Sequence, residues 1–98
     1  MSIHVKILKS DNSLRYKFIC PACNCDHIIN DTWQFNGDLE NPTFSPSIKV
    51  DGFLGFKDEQ PVYGTCHSFV RDGKITYCDD CTHDLKNQTV ELLYYNDI

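Results

Sequence analysis

Apolar and polar residues alternate along much of the chain with the period of two that a half-buried strand requires. Near the start, Ile3, Val5 and Ile7 are set against His4, Lys6 and Lys9. The pattern predicts strands over 2–9 and 14–19, joined through Ser10-Asp11-Asn12-Ser13, and another over 27–33. Asn36-Gly37-Asp38 reads as a turn. Pro42 and Pro46 make 41–46 an irregular extended segment, because each proline restricts itself and its predecessor. Strands over 47–50 and 53–56 flank Asp51-Gly52, read as a hairpin turn, and strands over 64–70 and 74–78 flank a second one at Arg71-Asp72-Gly73. Residues 57–60 read as a solvated loop, 80–85 as one helical turn and 89–95 as a closing strand. No segment carries the three-to-four spacing of a long amphipathic helix. The expected fold is mainly β: a compact antiparallel sheet or small barrel with little helix.

A chain of 98 residues is one domain, 1–98, and is short enough to need a staple besides its core. Six cysteines offer two, disulfides or a metal. The first residues read as a strand and not as an export signal, which points to a reducing, cytoplasmic setting and so to metal. The Asn87-Gln88-Thr89 sequon then carries no meaning. Cys20-Pro21-Ala22-Cys23 directly follows a predicted strand, and its proline-stiffened turn lets two thiolates converge on one ion, as in zinc knuckles. A redox pair of this spacing wants a helix behind it, and a β-like run follows instead. His27 is in reach as a third ligand and Cys66 supplies a fourth from a distant strand. Cys25, Cys78, Cys81 and His83 compete, the choice of third ligand lying between His27 and the Cys81/His83 group. Four mixed Cys/His ligands imply a structural Zn²⁺ with no open position for water. The formal charge of −5, with no basic run, argues against nucleic acid, and the short apolar runs argue against a membrane span.

A second constellation lies beside the first. In Cys66-His67-Ser68-Phe69-Val70 adjacent residues point to opposite faces, so a Cys66 turned toward zinc leaves His67 free for other work. Asp79-Asp80-Cys81-Thr82-His83 brings two acids and a histidine next to that strand, and Asn41–Ile48 presents Ser45 and Ser47 on a stiffened segment. A serine becomes nucleophilic when a histidine takes its proton and a third group orients the histidine. Ser47, His67 and Asp80 are the candidates for these roles. His4 has no such company and is taken as a surface residue.

These blocks, Phe18-x-Cys20-Pro21-x-Cys23-x-x-x-His27, Trp33-x-x-Asn36-Gly37-Asp38-Leu39, Asn41 to Ile48, Cys66-His67-Ser68-Phe69-Val70-x-Asp72-Gly73 and Asp80-Cys81-Thr82-His83-x-Leu85, resemble small phage and prophage zinc-binding proteins with a domain of unknown function. Such proteins are often labelled ammonia monooxygenase, a label at odds with a chain that shows no sign of a membrane-embedded copper enzyme. The resemblance spans about 16–92. Its usual Ala-Gly-Gln is Lys86-Asn87-Gln88 here, which puts a glycine-dependent turn in question. More distantly, the chain is similar to peptidases of bacterial ubiquitin-like conjugation operons. That similarity implies a serine role for Ser47 and a histidine role for His67, and a protein or peptide as substrate, which for a phage protein would be one of the host.

The leading expectation is thus a zinc-stabilised hydrolase, a serine peptidase acting on a protein or peptide tail. One rival is a non-enzymatic zinc-ribbon module that binds a host or phage protein. Another is a metallohydrolase using His67, Asp80 and His83 around a catalytic metal.

Overall fold

A computed structural model describes residues 3–95. Nine strands form three antiparallel sheets, and there is no helix among the described residues. The first sheet joins β1 (Val5–Ser10), β2 (Ser13–Cys20) and β3 (Cys25–Asn30) in that order. A two-stranded ribbon pairs β4 (Gln34–Phe35) with β5 (Phe44–Ser45). The third sheet runs β6 (Ile48–Lys57), β7 (Gln60–Arg71), β8 (Lys74–Tyr77) and β9 (Thr89–Glu91). A bridge between Ile3 and Tyr95 ties the two ends of the described chain together.

The alternation seen in the sequence is the alternation of burial. On β2, Tyr16, Phe18 and Cys20 point inward, and on β7 Cys66, Ser68 and Val70 do so. The interior is closed by an aromatic group in which Phe44 stacks on Phe35 at 4.9 Å and Tyr16 and Phe18 pack against Phe44 at 5.5 and 6.1 Å. Truncating a fully buried phenylalanine such as Phe18 to alanine costs about 3–5 kcal/mol, a large share of what holds a chain this small.

The structure corrects the sequence reading in several places. Asp51-Gly52 is not a turn: β6 continues through it, and the hairpin closes at Asp58-Glu59. Both of those residues have positive φ, 52° and 65°, the geometry of the primed turns that match strand twist. Gly52 and Gly55 instead bend the strand, where the register shifts between Phe53 and Gly55. Gly55 also lies against the Cys20–Cys23 turn, where a Cβ would sit 3.1 Å from the Cys23 carbonyl oxygen and 3.2 Å from the Cys25 sulfur. The expected helical turn over 80–85 is a series of non-helical turns. At the altered Lys86-Asn87-Gln88 step, Asn87 takes φ +65°, a conformation asparagine tolerates better than most residues, so the left-handed turn forms without glycine.

His4 is not on the surface. It is 1% exposed, its ring stacks on Tyr94 at 4.0 Å, and its Nδ1 lies 3.0 Å from the Leu93 carbonyl oxygen, because the segment after β9 folds over β1. The strand predicted over 2–9 begins on a residue outside those described, and the one predicted over 89–95 is shorter than expected, ending at Glu91.

Candidate functional site

Strand β7 is shared by two sites, one on each face. On the inner face the β2–β3 hairpin brings three candidate metal donors together. Cys20 ends β2, a tight turn follows in which the Asn24 N–H donates to the Cys20 carbonyl at 2.8 Å, and β3 returns with His27 diagonal to Cys20 in the register. Cys66 reaches the same point from β7, its sulfur 3.9 Å from that of Cys20. Cys20, Cys23, His27 and Cys66 are all buried, and their donor atoms all lie within 4.8 Å of one another. All six cysteines are free thiols.

The chemistry of this cluster fits a metal ion. His27 Nε2 is buried with no hydrogen-bond partner, a costly state for a polar atom unless something binds it. Bonds from Cys23 and Cys66 hold the Cys20 thiol far below the ordinary thiol range. The bond to Cys20 in turn pushes the Cys23 thiol up to about 12, and Cys66 is raised by its bonds to Cys20 and Cys23. Three thiols and an imidazole crowded together away from water are a donor set that a dication would satisfy, since it favours the deprotonated form of each sulfur it binds. Tyr77 sits beside it, its Oη 3.1 Å from Cys20 Sγ and accepting the Ala22 N–H at 3.2 Å. Burial holds the Tyr77 phenol protonated and hence able to donate to Cys20.

The competing ligands go elsewhere. Cys25 donates to the Leu54 carbonyl at 2.9 Å, pinning the turn to β6. Cys81 takes the His67 N–H at 3.2 Å and donates to the His67 carbonyl at 3.1 Å. His83 packs edge-on against Tyr77 at 4.5 Å, where burial lowers its pKa. It also lines a cleft of about 690 Å³, with Leu54, Val62 and Leu85 among its other walls, that includes none of Ser47, His67 and Asp80.

On the outer face of β7, His67 lies opposite Lys49 in the β6 register. Ser47 comes just before β6, so it shares the outer face with Lys49 by the period of two. Its Oγ lies 3.0 Å from His67 Nε2. On the other side of the ring, His67 Nδ1 is 3.1 and 3.2 Å from the two oxygens of Asp80. Asp80 reaches this place on the segment that leaves β8. That segment continues along the edge of β7 through bonds from the Cys78 N–H to the His67 carbonyl and from the Thr82 N–H to the Thr65 carbonyl, 2.9 and 3.0 Å. Lys49 Nζ stands 3.8 Å from Asp80 Oδ2 and 3.9 Å from Asp51 Oδ2.

The serine segment is anchored at both ends. The Gly73 N–H donates to the Pro42 carbonyl at 2.9 Å, and the Asp72 N–H to Thr43 Oγ1 at 2.8 Å. The Trp33 indole N–H donates to the carbonyls of Pro46 and Ser47 at 3.1 and 3.3 Å. The roles of Trp33 and Lys49 were not read from the sequence. Lys49 was within reach, since it follows Ser47 by two on one strand. Trp33 was not, because its partner lies across a loop whose path no local pattern specifies. His83, expected near His67 and Asp80 in the metallohydrolase reading, is not part of this group, and Cys78 stands there instead.

The family model described as bacterial ubiquitination-like system serine protease (BubE) matches residues 2–78. The chain belongs to the BubE family. The match takes in the inner cluster, Ser47 and His67, and ends two residues before Asp80. It also includes the first strand, which the resemblance had left outside. No curated protein and no solved structure matches the chain.

Proposed function

We propose that the chain is a serine peptidase that cleaves a protein or peptide tail, with Ser47 as nucleophile, His67 as general base, Asp80 as its orienting acid and a structural zinc on Cys20, Cys23, His27 and Cys66. The observation that supports it most directly is the single imidazole bonded at Nε2 to Ser47 Oγ and at Nδ1 to Asp80. Membership of a serine-protease family supports the same reaction class. Asp80 favours the tautomer with the proton on Nδ1, which leaves the Nε2 lone pair facing the serine hydroxyl. His67 takes the Ser47 proton as Oγ attacks the scissile carbonyl carbon. The imidazolium, steadied by Asp80, then passes that proton to the leaving amine. A water activated by the same Nε2 releases the acyl group and regenerates Ser47.

The zinc takes no part in these steps. When bound, it cross-links the β2–β3 hairpin to β7 and so fixes the strand from which His67 projects. A cytoplasmic setting keeps its thiols reduced.

The test is labelling with a fluorophosphonate. The metal-loaded chain should be labelled on Ser47 alone, and Ser47→Ala should abolish the label. A folded, metal-loaded chain that takes no label would overturn the assignment.

A further inference from the structure

The outer face holds a second set of metal donors. One nitrogen of His67, the Cys78 thiol and one carboxylate oxygen of Asp80 all lie within 4.8 Å of one another. Cys78 serves no other site: it is a free thiol, half-buried, on the residue that follows β8. The spacing Cys78-x-x-Cys81 repeats that of Cys20-x-x-Cys23, yet its two thiols have different neighbours. Cys81 is buried and bonded to the His67 backbone, whereas Cys78 is directed to the His67–Asp80 pair. Imidazole, thiolate and carboxylate together make a borderline-soft set that suits Zn²⁺ and not Mg²⁺ or Ca²⁺. Three protein ligands leave a fourth position for water, so this site is open and exchangeable where the inner one is closed.

We infer that His67, Cys78 and Asp80 form a second, lower-affinity Zn²⁺ site through which free zinc reversibly inhibits the enzyme. The inhibitory part rests on the proposed role of His67 and Asp80; the binding part does not. Cys78 gives its proton to solvent as the ion binds, and no other bond is made or broken. An ion on Nδ1 displaces Asp80 from the imidazole, and an ion on Nε2 removes the lone pair that Ser47 needs. Either arrangement stops proton transfer. Lys49, near Asp80 Oδ2, has Asp51 as its other neighbour and can move to it.

The experiment titrates Zn²⁺ into chain already holding one equivalent, followed by calorimetry and by the rate of fluorophosphonate labelling. The wild-type chain should take up a second equivalent, and labelling should fall as it binds and recover with a chelator too weak to strip the first. Cys78→Ser should label at the wild-type rate without added zinc. It should also bind the second equivalent at least about 10–100-fold more weakly, since losing a ligand costs no less than losing an outer-shell partner, and so keep its label in zinc. Cobalt in the second site should show thiolate charge-transfer absorption that Cys78→Ser lacks, and Cys78→Ala is the second variant should the serine misfold. Uptake of one equivalent only, or equal inhibition of wild type and Cys78→Ser, would overturn the site. If the wild-type chain takes no label at all, the peptidase reading fails, and the stoichiometry and the cobalt spectrum still decide whether the second site exists.

Discussion

Cys66 and His67 are adjacent in sequence and belong to two different regions of the molecule. Cys66 is 1% exposed and joins three other buried donors; the His67 side chain is 26% exposed and joins a serine and a carboxylate. On the inner face a buried imidazole nitrogen lacks a partner and three thiols crowd around it. On the outer face both ring nitrogens of His67 are bonded. One strand thus carries a cluster that could hold an ion and a group whose side chains already satisfy one another. The outer one should fail by loss of rate with the fold intact, whereas failure of the inner one unfolds the chain and takes the outer one with it.

The largest test strikes the inner face. Removing the metal with a strong chelator, or Cys66→Ser, should abolish cooperative melting, because a structural zinc contributes roughly 10–16 kcal/mol and a domain of this size has about 5–15 kcal/mol in all. Elemental analysis with thermal melting checks it. A metal-free chain that melts as before would remove the distinction between the faces.

Next in size is Ser47→Ala, expected to lower turnover by roughly 10⁴–10⁶-fold while stability changes by no more than about 0.5 kcal/mol and zinc content stays the same. If the melting temperature drops with the rate, the outer site is also a structural one. Asp80→Asn should cost about 10²–10⁴-fold in kcat, since the amide can stabilise the wrong tautomer of His67, again with metal retained. Steady-state kinetics beside a metal assay separates this from unfolding.

Trp33→Phe is the mildest and the most discriminating. It keeps an aromatic ring, smaller than the indole, but loses the N–H that holds the Pro46 and Ser47 carbonyls, a change of about 1 kcal/mol in stability for the lost bond. A looser Ser47 should lower kcat by up to about tenfold with KM little altered. A change confined to KM would show that Trp33 acts on substrate contact and not on the serine.

Much of the fold was legible because period-two burial leaves a period-two pattern, as at Val70 and Ile75, which pair across the β7–β8 hairpin. That Cys20 and Cys23 converge on one point was legible from their spacing. The β6–β7 hairpin was not. Asp51-Gly52 has the composition of a turn, but a glycine of positive φ inside a strand has it too, and only the pairing partner tells them apart. The same register, with Lys49 opposite His67, is what carries Ser47 to the imidazole. Ser47 and His67 were therefore named together from residue chemistry and resemblance, without the pairing that joins them. His4 was misjudged because its cover comes from the far end of the chain, and a local pattern carries no information about that.

Ser47, His67 and Asp80 lie on an open sheet face, and the cleft beside His83 does not reach them. The charged side chains beside the imidazole are open to solvent: Asp80 and Lys49 are 43% and 51% exposed. An acyl-transfer centre gains from being dry, since low polarity strengthens each charge–dipole contact. On the proposed chemistry that dryness has to arrive with the substrate, as the bulk of a folded protein laid over the sheet. A small chromogenic ester cannot act as its own roof, and should turn over far more slowly than the same scissile bond presented at the end of a protein domain.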